Sequence, residues 1–368
     1  TAGTDINLLK IAEGLINEEF DVRLLIVGDE WFDKKIKSEI KVVYLIPRYI
    51  FKFMKRKYIP WKITMILSVI FSIFPLIFYL KKNNGNYILG LVPILAFLGF
   101  LISNVKPKII FSIQGLPRSN IIFNLNLFLS KFLPDVDYVI PTKSMSEYLD
   151  EMYNQSESIE YEVVPNAVLD SNLISKSKES VDHQWYSNDE IFVITAVGRL
   201  TNQKDFTNLI NAFALAAGSL DIIRLVIIGS GEQKELLQSL VEDFNLESKV
   251  EFLGFQSNPY KFMNASDLFV MSSMWEGPGH VLIEALGTGC PVITTNCPIG
   301  PADSIQNGEF GELVEVGNSK ALSESISYAF NNQSDMLLKV KKSEIYMKKF
   351  YTDNVVNEYK KLLINKNR

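Results

Sequence analysis

Residues 275–291 read Trp-Glu-Gly-Pro-Gly-His-Val-Leu-Ile-Glu-Ala-Leu-Gly-Thr-Gly-Cys-Pro, and this stretch is the most informative about the fold. A glycine-rich turn comes first, and a run of helix-forming residues follows it. A helix that starts in such a turn directs its backbone N–H groups and its positive dipole end at the turn, where anions bind. Glu276 and Glu284 stand eight positions apart. Glu284 therefore falls about two helical turns in, where it can accept hydrogen bonds from sugar or ribose hydroxyls.

On both sides of this stretch, apolar runs of strand length alternate with helical runs. The predicted strands are 21–27, 87–91, 108–113, 138–141, 191–197, 222–228, 250–253, 268–271 and 292–294. Predicted helices lie between many of them, including 206–217, 232–244 and one or two in 343–365. This alternation predicts an α/β protein with parallel, doubly wound sheets.

The length of 368 residues suits two domains. The polar, serine-rich segment 170–190 predicts a linker, so we expect one domain over 1–169 and a second over 191–342. Residues 343–368 are expected to form terminal helices. The chain opens at the turn Ala2-Gly3-Thr4 without a strand before it, whereas a Rossmann-like sheet begins with a strand that leads into such a turn. We therefore expect the natural protein to have further residues upstream.

Charge is distributed very unevenly. The net charge is −5, yet residues 40–134 contain thirteen Lys or Arg residues and no Asp or Glu. Within this basic block an uncharged run, 63–80, lies between Lys62 and Lys81. An interfacial helix over about 59–82 on an anionic membrane surface is favoured, because basic flanks and aromatic residues suit that location. An ordinary buried helix and a transmembrane helix are the alternatives, and Ser68, Ser72 and Pro75 weaken the last of these.

The same composition argues against other classes of protein. Nucleic acid is a poor partner, because the basic residues flank aliphatic and aromatic bulk rather than a polar groove. Cys290 and Cys297 are too few for a disulfide framework, and with His183 and His280 they make a poor soft-ligand set for zinc. We expect both cysteines to be small core or loop residues in a reducing, cytosolic setting.

A second motif, Gly198-Arg199-Leu200-Thr201-Asn202-Gln203-Lys204, follows the first predicted strand of the second domain. Its glycine permits close backbone approach, and Arg199 and Lys204 can converge on one diphosphate. Taken alone, the two cations would more often be solvated loop charges. The glutamate stretch downstream favours the diphosphate interpretation. The Gly229-Ser230-Gly231 turn is weaker evidence, since many such turns only tighten a connection.

Three further features have structural explanations that compete with functional ones. Asp135-Val136-Asp137 matches an Asp-x-Asp pattern that binds divalent metal in some sugar transferases, but acids at a helix end and a turn are expected here, and no metal site is predicted. His280 is either a buried helix-terminal histidine or a ligand contact, and its place between the glutamates favours contact. The aromatic segment 123–132 is expected to belong to the core.

These motifs together resemble the retaining, nucleotide-sugar-dependent glycosyltransferases of family 4, which have the GT-B fold. In the second half the resemblance rests on an ordered series of matching motifs: Val197-Gly198-Arg199-Leu200 with Lys204, 226–231, Ala265-Ser266-Asp267-Leu268-Phe269-Val270, 276–293, Cys297-Pro298-Ile299-Gly300-Pro301 and Gly311-Glu312-Leu313-Val314. The first half is similar more loosely, through Ala2-Gly3-Thr4 and Val164-Pro165-Asn166-Ala167-Val168. Among members it is most similar to bacterial-type enzymes of lipopolysaccharide, capsule or glycoprotein glycan assembly.

The resemblance implies two Rossmann-like domains that face a central cleft, an acceptor-side domain first and a nucleotide-sugar-binding domain second, with terminal helices that cross back to the first. It implies that Arg199 and Lys204 hold the donor diphosphate and that Glu284 accepts hydrogen bonds from the ribose. Glu276, Arg199 and Lys204 are the expected catalytic residues. The expected donor-binding set adds Gly3, Gly277, Pro278, Gly279, His280, Val281 and Glu284.

The sequence departs from the family pattern at three places. Pro278 stands where the family usually has an aromatic residue after Glu-Gly. Gln114 stands where the family often has a histidine, and it is the expected residue on the acceptor or sugar side. The paired glycines of the opening loop are Ala2-Gly3.

We therefore expect a metal-independent, retaining hexosyltransferase that needs no cofactor. The donor is a nucleotide diphosphate sugar, with UDP favoured and GDP-mannose possible, and the acceptor is a hydroxyl of a lipid-linked or membrane-associated glycan. The expected location is cytoplasmic, peripheral on the inner face of the cell membrane. The alternatives are a sugar-nucleotide epimerase or hydrolase on the same scaffold, and a non-catalytic membrane-bound subunit of glycan assembly.

Overall fold

The computed structural model describes residues 3–27, 36–47, 50, 61–90, 93–115, 120–153 and 159–364. The chain forms two compact units. Unit 1 contains Thr1–Pro141, Leu149–Ala167 and Thr352–Arg368, and unit 2 contains Thr142–Tyr148 and Val168–Tyr351. Two features named from the sequence lie partly outside the described residues. These are Ala2 of the opening turn and, within the basic block, Lys52, Lys55, Arg56 and Lys57.

Unit 1 is built on parallel strands that fall, among the described residues, into two sheets. Its strands are β1 (Arg23–Ile26), β2 (Lys41–Tyr44), β3 (Tyr87–Leu89), β4 (Ile109–Ser112), β5 (Val136–Ile140) and β6 (Tyr161–Val163). The first two strands pair with each other, and the others form a sheet in the order β3-β4-β5-β6. The predicted strands near 21–27, 87–91, 108–113 and 138–141 are confirmed. Strands β2 and β6, which are four and three residues long, were not predicted.

Among the described residues up to 153, the helices are α1 (Gly3–Asn17), α2 (Trp61–Lys82), α3 (Pro93–Ser103), α4 (Asn120–Ser130) and α5 (Lys143–Tyr153). Helix α3 packs against both α2 and α4. Its glycine allows close approach, because a Cβ at Gly99 would lie 2.7 Å from Leu76 of α2. None of the helices in the described part of the chain is both long enough and apolar enough to cross a membrane.

Unit 2 contains one six-stranded parallel sheet whose strands are nearly all buried. Its strands are β7 (Phe192–Val197), β8 (Ile223–Ile228), β9 (Val250–Gly254), β10 (Leu268–Met271), β11 (Val292–Thr295) and β12 (Glu312–Val314). Their order across the sheet is β12-β11-β10-β7-β8-β9. The chain therefore moves outward from β7 in one direction and then from β10 in the other, which is the doubly wound arrangement predicted from the sequence.

Helices cover both faces of this sheet. They are α6 (Ser171–Ser177), α7 (Phe206–Ala217), α8 (Lys234–Asp243), α9 (Tyr260–Ala265), α10 (His280–Gly287), α11 (Pro301–Ser304), α12 (Ser319–Asn331) and α13 (Gln333–Met347). Helix α7 matches its predicted range, because Asp205 caps it by accepting a hydrogen bond from the Asn208 N–H at 3.2 Å. Its apolar face packs into the core formed by β7, β8 and β10.

The segment 170–190, predicted to be a linker, is folded within unit 2. Asp170 caps α6 by accepting a hydrogen bond from the Leu173 N–H at 2.8 Å, and Leu173 is buried. Trp185 is also buried and packs against Val193 and Phe262. Two buried apolar side chains thus fix a segment whose average composition is polar, and composition alone does not reveal them.

The chain returns to unit 1 at its end. A 3-10 turn (Lys348–Phe350) follows α13, and the last described helix is α14 (Thr352–Ile364). Helix α14 packs against α1 in unit 1, where a Cβ at Gly14 would lie 2.3 Å from the Val356 side chain. The two helices therefore cross at a position that only glycine fills without displacement.

Candidate functional site

The centre of the unit 2 sheet is the topological switch point between β7 and β10. These strands are parallel neighbours, and the connections that follow them lead to opposite edges of the sheet. Ligands of doubly wound proteins bind at the carboxyl ends of the strands at such a point. The segments that begin there are 198–205, after β7, and 272–279, after β10. They contain the two motifs that the sequence identified independently.

Lys204 and Glu276 meet at this point. The Lys204 Nζ donates a hydrogen bond to the Glu276 Oε1 and forms an ion pair with it. Both side chains are largely buried, with exposed fractions of 12% and 10%. Since an ammonium group has three donors, this pairing leaves Lys204 two further N–H groups for an anion.

A small network holds Glu276 in place. Ser273 donates from its Oγ to the Glu276 Oε1 at 2.7 Å, and the Ser273 carbonyl accepts a hydrogen bond from Thr295 Oγ1 at 2.6 Å. Ser272 donates to the Lys204 carbonyl at 2.9 Å, which ties the two segments together. Sequence reasoning missed Ser272 and Ser273. Their signal was a pair of hydroxyl residues directly after a buried strand.

Gln203 joins the two segments a second time. Its side-chain Nε2 donates to the Trp275 backbone carbonyl at 2.9 Å. Its backbone carbonyl accepts from the Met274 N–H at 2.8 Å. Gln203 was part of the quoted motif but had no predicted role. The Lys204–Glu276 pair is thus positioned by backbone contacts on both sides as well as by its own charge.

Arg199 lies in the same segment as Lys204 but differs from it in environment. Its side chain is exposed, and it has no ion-pair partner among the residues that the structure describes. The stem of Lys204 lies across Gly198, whose Cβ position is 3.2 Å from three of its carbons. One cation is therefore fixed by packing and a carboxylate, and the other faces solvent.

Glycines bring neighbouring backbone into this region. Gly229 has φ +146°, and a Cβ there would lie 1.8 Å from the Gly198 carbonyl oxygen. A Cβ at Gly231 would lie 2.3 Å from the Leu200 carbonyl oxygen. The turn after β8 thus packs directly on the Arg199 segment, which gives the weak Gly229-Ser230-Gly231 motif a structural reason.

The glycine-rich turn of 276–279 leads into α10 as predicted. Gly279, at φ +70°, is the residue before the helix, and His280 is its first residue, half-buried. Gly300 allows another loop to approach this turn, because a Cβ there would lie 2.2 Å from the Gly277 carbonyl oxygen. Ser304 also donates to the Pro278 carbonyl at 3.3 Å. The turn is therefore held from outside the motif, by a glycine whose role was not predicted.

Glu284 lies in the second turn of α10 and is half-buried, and Val281 packs against the apolar core beneath. Burial raises the pKa of Tyr260, and the negative charge of Glu284 raises it further. Burial likewise raises the pKa of the Cys297 thiol to about 12, with a smaller contribution from the Glu276 carboxylate. Both cysteines are free and buried, as predicted.

Two predicted site residues belong to unit 1. Gly3 is the first residue of α1. Gln114 follows β4 and is buried, with 7% of its surface exposed. Its Nε2 donates to Ser112 Oγ at 3.1 Å, and Ser112 Oγ shares a hydrogen bond of 2.8 Å with the Tyr359 hydroxyl of α14. The Gln114 Oε1 has no hydrogen-bond partner within the described ranges.

The acids of the Asp-x-Asp pattern have a structural partner. Lys108 Nζ lies 3.0 Å from Asp137 and 3.5 Å from Asp135. No cluster of three or more His, Cys, Asp or Glu side chains suited to a metal ion occurs in the described part of the chain.

Comparisons with known proteins agree with this geometry. The family described as "Glycosyl transferases group 1" matches residues 177–346. An uncharacterized glycosyltransferase of Methanocaldococcus jannaschii is 35% identical over 173 residues, or 47% of this chain and 43% of that protein. The N-acetylgalactosamine-N,N'-diacetylbacillosaminyl-diphospho-undecaprenol 4-alpha-N-acetylgalactosaminyltransferase of Campylobacter jejuni is 35% identical over 205 residues, or 54% of this chain and 53% of that protein. The chain thus spans about half the length of these relatives.

Solved structures extend the likeness to the whole chain. The Anabaena protein HepE in complex with UDP matches 98% of this chain and 96% of its own, with a TM-score of 0.79 and 16% identity. A glycosyltransferase from Rickettsia africae covers 99% and 95%, with a TM-score of 0.76 and 17% identity. At such identities the likeness concerns the fold. The predicted GT-B class, with two Rossmann-like domains built on parallel sheets, is confirmed.

Proposed function

We propose that the protein is a retaining hexosyltransferase, on the premise that residues 177–346 match the family described as "Glycosyl transferases group 1". It moves a hexosyl group from a nucleotide diphosphate sugar to a hydroxyl of a membrane-associated glycan. A UDP-sugar is the favoured donor, and GDP-mannose is the second choice.

The observation that carries this proposal is the Lys204–Glu276 pair at the switch point, with Arg199 beside it. Arg199 and the free N–H groups of Lys204 bind the diphosphate, since charge-assisted hydrogen bonds are the strongest that a protein offers an anion. Glu276 keeps the Lys204 ammonium group in place and accepts hydrogen bonds from the sugar. The positive end of α10 adds to the diphosphate site, and Glu284 in its second turn accepts from the ribose hydroxyls.

The chemistry then depends on stabilising the leaving group. The bond from the anomeric carbon to the phosphate oxygen breaks, and a bond to the acceptor oxygen forms on the same face. The acceptor proton passes to the departing phosphate, so no carboxylate pair has to act as nucleophile and acid. Arg199 and Lys204 stabilise the negative charge on that phosphate as it develops, and the reaction needs no metal ion or cofactor.

Gln114 of unit 1 is the proposed contact to the sugar or the acceptor. A buried amide oxygen without a partner costs free energy, which a hydroxyl donor from a sugar would recover. Its amide group is already held by Ser112, so the Oε1 is presented in one orientation. A protonated histidine at this position could not accept a hydrogen bond from a sugar hydroxyl, because both imidazolium nitrogens are donors.

The acceptor is proposed from the names of the relatives. One acts on a diphospho-undecaprenol-linked saccharide, and another, from Rhizobium meliloti, is a lipopolysaccharide core biosynthesis glycosyltransferase. The first name places the acceptor on a lipid carrier, and the second name concerns the assembly of a lipopolysaccharide. A peripheral position on the inner face of the cell membrane, with α2 at the surface, accords with such an acceptor.

The experiment measures nucleoside diphosphate release from a panel of UDP- and GDP-sugars, with and without a polyprenyl-diphosphate-linked saccharide. We expect release from one donor only, dependent on the acceptor, and a product with the anomeric configuration of the donor by NMR. Release at the same rate without acceptor would indicate a hydrolase or epimerase. Absence of UDP and GDP binding by calorimetry would indicate a non-catalytic subunit.

A further inference from the structure

Helix α2 exposes large apolar side chains, the reverse of a helix that faces water. Its buried side carries the hydroxyl residues Thr64, Ser68 and Ser72 together with Leu76 and Leu80, and Ser72 is fully buried. Ser68 satisfies its own hydroxyl by donating to the Thr64 carbonyl at 2.7 Å, and Ser72 donates to the Ser68 carbonyl. The exposed side carries large apolar residues, with Phe74 77% exposed. A helix at an aqueous surface normally shows the opposite pattern.

Helix α4 repeats the reversal. Asn126 and Ser130 are buried and bond to backbone carbonyls of their own helix, at 2.9 Å and 2.8 Å. Ile121 is 81% exposed, and Phe128 packs edge-on against Phe132 with both rings exposed. The prediction that segment 123–132 belongs to the core is therefore wrong for its outward half. Phe123 and Leu127 are buried, but Leu125, Phe128 and Phe132 face outward.

The two helices belong to one helical layer of unit 1. Each packs against α3, which carries no charged residue and itself exposes Ile102. We name the outward apolar side chains of α2, of α4 and of the turn directly after α4 the two-helix apolar face. It consists of Ile70, Phe71, Phe74, Phe78, Ile121, Ile122, Leu125, Phe128 and Phe132. Exposed apolar patches of this size on soluble proteins mark sites of interaction.

The charge around this face identifies the partner. The basic block without a single acid, residues 40–134, contains both helices. Lys81 and Lys82 are exposed at the end of α2, and Lys82 Nζ lies 4.2 Å from the centre of the Phe78 ring. Lys131 is exposed directly after α4. Apolar side chains with lysines at their edge, in a sequence interval without Asp or Glu, match an anionic lipid surface.

We infer that the two-helix apolar face docks on an anionic bilayer, with the Phe and Ile side chains in the acyl boundary and the lysines at the headgroups. This goes beyond attachment through α2 alone, because two contacts on one layer fix the orientation of unit 1 on the membrane. The inference rests on the proposed function for its purpose, a lipid-held acceptor, and on the exposed side chains for its evidence.

The test is vesicle cosedimentation of the full chain with phosphatidylglycerol–phosphatidylcholine vesicles and with pure phosphatidylcholine vesicles. The variants are Phe74→Ser/Phe78→Ser on α2 and Ile121→Ser/Phe128→Ser on α4. The matched control is Leu337→Ser/Ile345→Ser, which removes two equally exposed apolar residues of α13 in unit 2. A Lys81→Gln/Lys82→Gln variant tests the charge. Circular dichroism and UDP calorimetry on every variant monitor the fold and the nucleotide site.

We expect the parent to bind anionic vesicles well above neutral ones. Each serine pair should weaken binding by at least about tenfold, and the control should not change it. The lysine pair should weaken binding by about fivefold per charge. Folded α4 variants that bind like the parent would overturn the inference, and so would equal binding to neutral vesicles. A parent that ignores vesicles but forms dimers, which the serine pairs dissociate, would assign the face to a second copy. UDP binding reports separately on the proposed function.

Discussion

Strands and helices alternate in both units, but the helices of the two units differ in the residues that they expose. Helix α8 in unit 2 buries Leu237 and Val241 and exposes Lys234 and Glu235. Helices α2 and α4 in unit 1 bury hydroxyls and an amide beside their buried leucines, and they expose phenylalanine and isoleucine. On the inference that this exposed face docks on a membrane, the difference reflects the medium outside each helix as well as the sheet beneath it.

The buried polar groups among the predicted site residues also differ between the two units. In unit 2 the buried groups are an ion pair, Lys204 and Glu276, whose charges compensate each other. In unit 1 the buried group is a neutral amide, Gln114, with one donor satisfied and its acceptor oxygen without a partner in the described ranges. Unit 2 thus buries two charges that compensate each other, and unit 1 buries a neutral group with a spare acceptor atom.

The largest effect is expected from breaking the buried pair. Lys204→Met leaves the Glu276 carboxylate buried without its partner, which costs about 3–5 kcal/mol of folding free energy. Arg199→Met removes an exposed cation and should leave stability nearly unchanged. Both should slow glycosyl transfer by about 10²–10³-fold, because each removes a donor to the leaving phosphate. Urea unfolding and donor turnover, measured on the same samples, separate the two roles.

The double variant Lys204→Met/Glu276→Leu makes this comparison sharper. It removes both charges together, so most of the lost stability should return while turnover stays low. Recovery of turnover in the double variant would show that Lys204 acts only by neutralising Glu276. Normal turnover in an Arg199→Met/Lys204→Met variant would remove the diphosphate assignment altogether.

A glycine pair in unit 2 gives the next largest effect. Gly229→Ala places a methyl group against the Gly198 carbonyl in a conformation that disfavours side chains, and should cost about 3 kcal/mol. Gly254→Ala is the matched control, since it also has positive φ, +66°, but no atom within 4 Å of its Cβ position. It should cost about 1 kcal/mol. Turnover should fall only for Gly229→Ala, because only that methyl group displaces the segment that carries Arg199.

Much of unit 2 could be predicted from the sequence because most of its strands are short, largely apolar runs separated by helical segments. The ranges of β10 and α7 were predicted to the residue, and the Lys204 and Glu276 motifs meet at one strand edge. The prediction of a linker over 170–190 was wrong, because the buried residues Leu173 and Trp185 are isolated in a polar segment and give no periodic signal. The structural role of Gly300 could not be predicted from its neighbours in the sequence, because it packs against the turn at Gly277, in a different segment of the chain.

Unit 1 was harder to predict for a different reason. Periodicity shows that α4 has two faces, but the rule that apolar residues face inward assigned Phe128 and Phe132 to the core. That rule assumes water outside. The polar residues Asn126 and Ser130 at the same spacing were the counter-evidence, since their burial forces the aromatic residues outward. Gln114 was identified only through the resemblance, and its support from Tyr359 in α14 joins positions that no local pattern relates.

A smaller effect is expected at the Tyr359 hydroxyl, which contacts Gln114 through Ser112. Tyr359→Phe removes the hydrogen bond to Ser112 and should cost about 1 kcal/mol. Burial raises the pKa of Tyr359 to about 12, against a hydrogen bond from Ser112 that lowers it. The unfolded phenol ionises first, near pH 10, so its contribution is complete below that pH and is lost as the pH rises toward 12. The unfolding free energy of the parent should therefore fall more steeply than that of Tyr359→Phe over this interval.

Turnover gives the second half of this test. If Ser112 and Tyr359 position Gln114, Tyr359→Phe should raise KM or lower kcat severalfold at neutral pH. The pH profile below pH 9 should stay unchanged, because the phenol is neutral throughout. Gln114→Ala should lower turnover further, and Gln114→Glu should not restore it. Parent-like kinetics in both Gln114 variants would restrict this cluster to a structural role.

The smallest effect is expected from an exposed ion pair in unit 2. Lys320 and Glu324 are 4.0 Å apart on α12, and 84% and 69% of their side chains are exposed. Because both charges stay hydrated whether or not they pair, Lys320→Ala should change the free energy of unfolding by less than about 0.5 kcal/mol. Added salt should reduce even that difference, whereas the cost of Lys204→Met should persist in salt. If the two lysine variants lose similar stability, burial does not distinguish the Lys204–Glu276 pair, and the argument for a preformed anion site in unit 2 loses its physical basis.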